Sequence, residues 1–211
     1  HAINTVRCIV DRFVKCGSTV NLCALDLSKA FDKMNHHALF IKLMKRHIPL
    51  NLLCILESWF DNCFTCVKWY GVKSHFFKVN IGIRQGGVLS PFLFAIYLDD
   101  VVSRVCTHVC GSVLSIVLYA DDIIILSPSV QVLQELLVAC ENELSYLDMA
   151  LNVKKSCCMR IGQRCNVNCA AIVTVAGDRL PWVNEIRYLG VHISKFKHFK
   201  CSLDYAKRSF Y

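Results

Sequence analysis

Apolar residues recur at helical spacing over the first part of the chain and then give way to a short continuous apolar run. The pattern from Ala2 to Val14 predicts an amphipathic helix that ends before Gly17. Val20 to Leu25 is short, apolar and followed at once by Asp26. Such a run is typical of a buried strand, so we expect Asp26 at the end of that strand.

Two further helical patterns and a hairpin pattern follow. Phe31 to His47 and Leu50 to Phe64 carry apolar residues at helical spacing and are separated by a segment that contains a proline. Thr65 to Trp69 and Val72 to Val79 alternate around a Tyr-Gly pair, which predicts a β-hairpin. The next segment, GIRQGGVLSP, is predicted to be a glycine-rich loop.

Serine-proline pairs mark two later helix starts. Ser90 and Pro91 fit the N-cap and first position of a helix that we expect to run to about Val105. Ser127 and Pro128 repeat this order. The second helix is expected to bury Val132, Leu133, Leu136, Leu137, Cys140, Leu144 and Leu147.

β-Branched residues are concentrated on both sides of an acidic pair. Val113 to Tyr119 and Ile123 to Leu126 are predicted to form two strands, joined by a tight turn that contains Asp121 and Asp122. Further short strands are predicted near Cys157 to Ile161, Ile172 to Val175 and Ile186 to Ile193. This order of elements predicts an α+β fold, an antiparallel sheet with helices packed mainly on one face.

Two adjacent carboxylates inside an apolar run are unfavourable unless solvent or a cation compensates their charge. If the strand ending at Asp26 neighbours the turn with Asp121 and Asp122, three acids share one small volume. Mg²⁺ prefers hard carboxylate oxygens, and two such ions about 4 Å apart support phosphoryl transfer in polymerases and many nucleases. The sequence therefore predicts a magnesium site at these three residues.

Composition narrows the class of protein. The formal charge of +8 favours a polyanionic partner such as nucleic acid, although a generally basic surface would have the same composition. No apolar run reaches the roughly 18 residues of a membrane span, so the 55% hydrophobic content is interpreted as core. The 14 cysteines have irregular spacing; we expect mostly buried free thiols, Cys54 among them, in a reducing compartment.

Five sequence blocks carry a family resemblance. The blocks are LDLSKAFDKMNH (25–36), RQGGVLSPFLF (84–94), YADD (119–122), LNVKKS (151–156) and YLGVHIS (188–194). In order and spacing they resemble the palm motifs of reverse transcriptases, most closely those of non-LTR (LINE-type) retrotransposons. The resemblance implies a polymerase palm with part of the fingers in residues 1–195. Residues 196–211 would begin the connection to a thumb that this chain lacks, and the start at His1 indicates a piece of a longer protein.

The resemblance also implies roles for the acids and two neighbouring side chains. Asp26 and Asp121 would bind two Mg²⁺ ions, with Mn²⁺ as an alternative, and Asp122 would be the third acid. Phe31 corresponds to the aromatic that walls off the 2′-hydroxyl of an incoming nucleotide; otherwise it is an apolar residue at a helix start. Lys155 matches a lysine proposed to protonate the departing pyrophosphate. The alternative for this role is the adjacent Lys154.

Nucleotide and primer contacts are implied in the same way. Arg84, Gln85 and Gly86 resemble the loop that lies against the nucleotide and the template, although glycines are also common in ordinary turns. The primer-binding residues would be Tyr119, Tyr188, Leu189 and Gly190, for which a core tyrosine and a simple β-turn are the alternatives. Aromatic and basic residues of the hairpin Phe64 to Lys78 would follow the template.

The function implied is RNA-directed DNA synthesis. The partners would be an RNA template, a DNA primer and deoxynucleoside triphosphates, with no membrane and no predicted protein partner. The location would be intracellular, in the cytoplasm and nucleus, as a retroelement ribonucleoprotein. A non-catalytic or co-opted retroelement fragment that binds nucleic acid is the alternative, whereas a two-metal nuclease would not account for Phe31 and the glycine loop.

Overall fold

The computed structural model describes residues 1–108 and 115–202. The helices are α1 Ala2–Lys15, α2 His36–Lys45, α3 Leu50–Asp61, α4 Ser90–His108 and α5 Val130–Ser145, with a 3₁₀ helix at Ala30–Lys33. The strands are β1 Val20–Asp26, β2 Phe64–Thr65, β3 Lys68–Trp69, β4 Val72–Lys73, β5 Phe77–Lys78, β6 Ser115–Tyr119, β7 Asp122–Ser127, β8 Cys157–Ile161, β9 Ile172–Val173, β10 Arg179–Leu180, β11 Glu185–Tyr188, β12 Val191–Ser194 and β13 Lys200–Ser202. The predicted strand positions Val113 and Leu114 and residues 203–211 lie outside the described residues.

The chain divides into two compact units. The first consists of His1–Ser28 and Val101–Tyr211, and the second of Lys29–Asp100. The main sheet of the first unit is antiparallel, with the strand order β6-β7-β1-β8. Two smaller antiparallel sheets, β9 with β10 and β11-β12-β13, belong to the same unit. The mixed α+β class predicted from the element order is confirmed.

The main sheet is covered by helices because its strands are apolar on both faces. On one face, Val6 and Val10 of α1 join a buried cluster with Leu22 and Ile124. The alternate residues of β1 and β7 face the other way, and α5 packs against these two strands. Within the described residues, α1 therefore lies on one face of this sheet and α5 on the other.

A buried polar residue ties the edge of this core together. The side-chain amide of Asn21 in β1 donates to the carbonyls of Ser127 and Pro128, each at 3.1 Å. Its side-chain oxygen accepts a 2.7 Å bond from Nε of Arg160 in β8. Because a buried amide without partners would be costly, this set of bonds fixes the neighbouring strands.

The second unit contains a helix pair and a long hairpin. β2 pairs with β5 and β3 pairs with β4, so the hairpin predicted around the Tyr-Gly pair is confirmed. The single helix predicted over 31–47 is wrong, because Met34 and Asn35 adopt extended backbone between the 3₁₀ helix and α2. Asn35 then caps α2 by accepting the backbone N–H of Ala38 at 3.1 Å.

Both predicted serine caps are also displaced. The carbonyl of Leu89 accepts the first backbone bond of α4, so Ser90 is already helical, and its hydroxyl donates to the carbonyl of Arg84 at 2.6 Å. At α5 the cap is Ser129, whereas Ser127 is the buried last residue of β7. Neither serine caps its helix: the hydroxyl of Ser90 bonds to the backbone of Arg84, and the hydroxyl of Ser127 accepts the backbone N–H of Ser129.

The cysteines within the described ranges are free thiols, but fewer are buried than predicted. Those that are buried are Cys23, Cys140, Cys158 and Cys165, whereas Cys54 is exposed. In residues 1–108 and 115–202, the helices are all too short or too polar to cross a bilayer.

Candidate active site

The acids predicted from the sequence lie together at one edge of the main sheet. Asp26 and Asp122 are direct partners on the antiparallel strands β1 and β7. Tyr119 of β6 pairs with Asp122 from the other side, which leaves Ala120 and Asp121 as a two-residue turn. Ala120 has φ of +52°, a left-handed conformation that tight hairpin turns require. The backbone therefore places three half-buried carboxylates in one small region.

The electrostatics of this region are dominated by negative charge. Burial raises the pKa of Asp122 above its ordinary value, and the charges of Asp121 and Asp26 raise it further. Lys155 acts in the opposite direction and lowers the pKa of Asp122. Because the net effect is a raised pKa, the lysine does not fully offset the combined effect of burial and the neighbouring carboxylates.

Lys155 is held beside Asp26 by a loop that is fastened to the end of β1. Its Nζ atom lies 3.6 Å from Oδ2 of Asp26, although the lysine side chain is 69% exposed. The backbone N–H of Asn152 donates to the carbonyl of Asp26 at 2.8 Å. Ser156 Oγ accepts the N–H of Asp26 at 3.1 Å and donates to the carbonyl of Asn152 at 2.9 Å.

The carboxylates suit a divalent cation in chemistry and backbone position. They are hard oxygen donors, and burial together with the two neighbouring carboxylates raises the pKa of Asp122, so a bound cation would favour its ionised form. Among the described residues, no three His, Cys, Asp or Glu side chains are already arranged around a metal position.

The predicted primer-binding residues occupy two places in the first unit. Tyr119 is more than half exposed at the end of β6. Leu189 and Gly190, with φ of +48° and +78°, form the tight turn between β11 and β12. Tyr188, just before that turn, is 2% exposed, and its hydroxyl is the only buried side-chain N or O atom within the described ranges that lacks a hydrogen-bond partner. Burial, with the nearby Asp122, raises the pKa of Tyr188 to about 12.

Phe31, the predicted nucleotide-selecting residue, lies in the second unit. Its ring stacks on that of Phe94 in α4, with 4.6 Å between the centroids and an angle of 28° between the planes. Its carbonyl accepts the N–H of Ile83 at 2.7 Å, which fixes the backbone beside the glycine-rich loop. The half-buried residue is therefore fixed within this unit by one contact of its ring and one bond of its backbone.

The side chains of Arg84 and Gln85 are exposed at the start of the glycine-rich loop. Gly86 has φ of +81°, which favours glycine, and a Cβ atom there would meet nothing within 4 Å. A Cβ atom on Gly87 would instead lie 2.6 Å from Oγ of Ser90. Gly86 thus permits the turn, and Gly87 permits the close approach of Ser90 at the start of α4.

Comparisons with known proteins give the family. The family model described as "Reverse transcriptase (RNA-dependent DNA polymerase)" matches residues 2–193. The chain belongs to the reverse transcriptase family. The identification as the reverse transcriptase domain of a non-LTR retrotransposon, predicted from the five sequence blocks, is confirmed.

Two curated relatives of this reverse transcriptase domain come from mobile elements. The Pol polyprotein of the type-2 retrotransposable element R2DM of Drosophila melanogaster is 26% identical over 191 residues, which is 84% of this chain and 18% of that protein. The RNA-directed DNA polymerase from mobile element jockey of Drosophila funebris is 27% identical over 195 residues, 89% of this chain and 21% of that protein. The chain therefore spans about a fifth of the length of these relatives.

Solved structures of telomerases share the fold. Apo telomerase from Candida tropicalis, truncated from its C-terminal domain, matches with a TM-score of 0.66 and 16% identity over 94% of this chain and 39% of that chain. Telomerase from Candida albicans, in complex with a fragment of telomeric RNA, matches with a TM-score of 0.68 and 13% identity over 96% of this chain and 34% of that chain. The predicted polymerase fold of palm and partial fingers is confirmed.

Two features of this reverse transcriptase domain were not predicted. Ser156 belongs to the LNVKKS block, but its bonds to the backbone of Asp26 depend on a contact between distant segments. The second is a cavity of about 250 Å³ in the second unit, walled by Trp59, Phe60 and other residues and reaching Arg84 and Gln85. Its walls come from the 3₁₀ helix, α2, α3, the hairpin and the loop, so no local sequence pattern marks it.

Proposed function

We propose that this chain is the palm with part of the fingers of an RNA-directed DNA polymerase. Residues 1–195 would form this part, and residues 196–211 would begin the connection to a thumb. The observation that supports the proposal best is the pairing of Asp26 with Asp122 across two strands, beside Asp121 in the turn. Three acids at one sheet edge are the donor set that nucleotidyl transfer by two metal ions requires.

The reaction would be attack of a DNA 3′-hydroxyl on an incoming deoxynucleoside triphosphate. Two Mg²⁺ ions, or Mn²⁺ as an alternative, would neutralise the developing charge on the attacking and leaving oxygens when held by Asp26 and Asp121, with Asp122 as the third acid. Lys155, whose ammonium group lies 3.6 Å from Asp26, would give a proton to the departing pyrophosphate. Its exposure leaves the ammonium free to move toward that group.

Selection of the nucleotide and placement of the primer would fall to other residues. The stacked ring of Phe31 would exclude the 2′-hydroxyl of a ribonucleotide, and the loop of Arg84, Gln85 and Gly86 would contact the triphosphate and the template. The exposed ring of Tyr119 would lie beneath the primer end. The turn formed by Tyr188, Leu189 and Gly190 would hold the primer strand.

The partners would be an RNA template, a DNA primer and deoxynucleoside triphosphates. The formal charge of +8 supports polyanionic partners. A location in the cytoplasm and nucleus, as part of a retroelement ribonucleoprotein, would follow from this activity.

Primer extension tests the proposal. An oligo(dT) primer is extended on poly(rA) by the longest form of the protein that contains these residues, in the presence of Mg²⁺. Asp121→Asn should lower the rate at least about a hundred-fold because it removes charge from the metal-binding set. Asp178→Asn is the matched control, since Asp178 is an exposed acid in the first unit and is outside the proposed site. Equal product from the native and Asp121→Asn proteins would exclude the proposed site.

A further inference from the structure

A small cavity lies in the first unit beside β8, the edge strand of the main sheet. We call it the basic cavity; it has a volume of about 190 Å³ and is lined mainly by Arg160, Trp182, Lys195 and the segment 165–169. Arg160 is the register partner of Asn21, five residues before Asp26 along β1. At about 3.4 Å per residue, Arg160 is about 17 Å along the sheet from Asp26. The basic cavity is therefore separate from the candidate active site.

Arg160 is held in place in the wall of the basic cavity. Its Nε atom donates to Oδ1 of Asn21 at 2.7 Å, and its Nη1 atom donates to the carbonyl of Val167 at 3.4 Å. Its Cζ atom lies 5.9 Å from the centre of the Trp182 ring, whose N–H donates to the carbonyl of Ala170 at 3.0 Å. These bonds do not use the Nη2 group. The guanidinium group is thus fixed in position and keeps two N–H donors for a ligand.

The charge of the basic cavity is positive, and its walls contain no Asp or Glu. Arg160 and Lys195 both lower the pKa of the Cys169 thiol, although burial raises that pKa overall. Both cations are half-buried, and neither forms an ion pair within residues 1–108 and 115–202. Glu185, on strand β11, contacts Nδ1 of His192 at 3.1 Å instead. Since two half-buried like charges repel each other, an anion bound between them would stabilise this arrangement.

The size and charge of the basic cavity indicate the class of its ligand. Its volume equals that of roughly six water molecules in the liquid, which suffices for one small ion and not for a polynucleotide strand. A phosphate group carries more than one negative charge at neutral pH, so it matches Arg160 and Lys195 together, whereas a carboxylate matches only one of them. The side-chain amides of Asn166 and Asn168, also in the walls, add hydrogen-bond donors for its oxygens.

We propose that the basic cavity binds a free inorganic phosphate ion between the guanidinium group of Arg160 and the ammonium group of Lys195. Arg160 belongs to β8, and Lys195 directly follows β12. The bound ion would therefore connect the edge of the main sheet to the β11-β12-β13 sheet within the first unit. Because neither a metal nor nucleic acid takes part, the outcome of its test is independent of the primer-extension result for Asp121→Asn.

Calorimetric titration of the full chain with sodium phosphate tests the proposal, in EDTA at constant ionic strength, with sodium acetate as the monovalent comparison. Lys195→Gln should weaken phosphate binding at least about ten-fold, because a hydrogen bond between charged groups is lost. Lys195→Arg keeps the charge and should restore most of the affinity. Lys15→Gln is the matched control, since Lys15 is an exposed lysine of the first unit outside the cavity, and it should leave the affinity unchanged.

The position of the ion is tested by alkylation of cysteines. Cys169 lines the basic cavity, whereas Cys16 is exposed outside it. Saturating phosphate should slow the labelling of Cys169 by iodoacetamide at least about three-fold, because the ion blocks access and opposes formation of the thiolate. The rate at Cys16, measured by mass spectrometry of peptides from the same sample, should not change. In the Lys195→Gln protein the same phosphate concentration should leave Cys169 unprotected.

Three results would overturn the inference: equal affinity for phosphate and acetate, native affinity in Lys195→Gln, or equal protection of Cys16 and Cys169. An oligonucleotide without terminal phosphates that protects Cys169 at concentrations where free phosphate does not would assign the cavity to nucleic acid, and would overturn it as well. The Lys195 side chain forms no hydrogen bond or ion pair within the described ranges, so the Lys195→Gln protein should not melt below the native chain in phosphate-free buffer. Circular dichroism checks this.

Discussion

Replacing Asp122 by asparagine is expected to stabilise the folded chain when no divalent cation is bound. Asp122 lies opposite Asp26, and Cβ atoms of such cross-strand partners are about 4.5–5.5 Å apart. Two unit charges at about 5 Å repel by roughly 0.8 kcal/mol in water and roughly 3 kcal/mol at an effective dielectric constant of about 20. Because both side chains are half-buried and Lys155 offsets part of the repulsion, we expect a gain of about 1 kcal/mol in the free energy of unfolding.

The direction of this effect agrees with the raised pKa of Asp122. Burial and the neighbouring acids make the folded state bind a proton at Asp122 more tightly than the unfolded state does. Between the ordinary aspartate pKa and the raised folded pKa, the folded state carries more protons, so stability falls as pH rises through that range. Above it the ionised carboxylate destabilises the fold. Asparagine removes both the cost at neutral pH and this part of the pH dependence.

Thermal unfolding followed by circular dichroism measures the effect. In EDTA at pH 7 the Asp122→Asn protein should melt about 2–4 °C above the native chain, the shift expected for about 1 kcal/mol in a chain of this size. Asp32→Asn changes the net charge equally but removes an exposed acid, so its effect should stay within about 0.5 kcal/mol. Mg²⁺ should raise the Tm of the native chain more than that of the variant. A variant that melts at or below the native temperature in EDTA would refute the repulsion argument.

Three further substitutions test other parts of the structure. Asn21→Ala should lower the free energy of unfolding by about 2 kcal/mol, because buried bonds to two carbonyls and Arg160 are lost; urea denaturation measures this, and a loss below about 0.5 kcal/mol would contradict the role of the amide. Tyr188→Phe removes a buried hydroxyl that has no hydrogen-bond partner, so the free energy of unfolding should stay unchanged or rise by up to about 1 kcal/mol. A clear loss of stability in the same urea titration would mean that the hydroxyl does have a hydrogen-bond partner. Phe31→Val should increase ribonucleotide incorporation in primer extension, and unchanged discrimination would reject the nucleotide gate.

Strands with local signals were predictable from the sequence. The apolar run after Gly17 and the acid that ends it gave β1 as Val20–Asp26, and Cys157–Ile161 was predicted with the bounds that β8 has. The hairpin around Tyr70 and Gly71 was predicted because alternating residues flank a turn pair. In each case the signal is contained in a few neighbouring residues.

Features that depend on distant partners were not predictable in this way. The helix expected over 31–47 is interrupted because Asn35 turns its side chain back to cap α2. Asn21 lies inside an apolar run, and its bonding partner Arg160 comes from β8, far along the chain. Periodicity carries no information on which strands pair, so the order β6-β7-β1-β8 emerged only from the structure.

In the candidate site, too, features with a local sequence signal were predictable and features that depend on distant segments were not. The position of Asp121 in the turn followed from the local pattern and from the YADD block, whereas Asp122 is the first residue of β7 and the prediction that placed it in the turn is wrong. Their proximity to Asp26 depended on an assumed strand neighbour, which the pairing of β1 with β7 provides. The attachment of Ser156 to the backbone of Asp26 had no local signal, although it positions the loop that carries Lys155.

The most direct test of the account is the rate of a single deoxynucleotide addition by an Asp26→Asn protein in saturating Mg²⁺. Asp26 comes from a strand distant in sequence from Asp121 and Asp122, so its contribution depends on the three acids acting as one metal-binding set. We predict a rate at least about a hundred-fold below that of the native protein, with the Asp178→Asn control unaffected. A native rate in Asp26→Asn would contradict the proposed site.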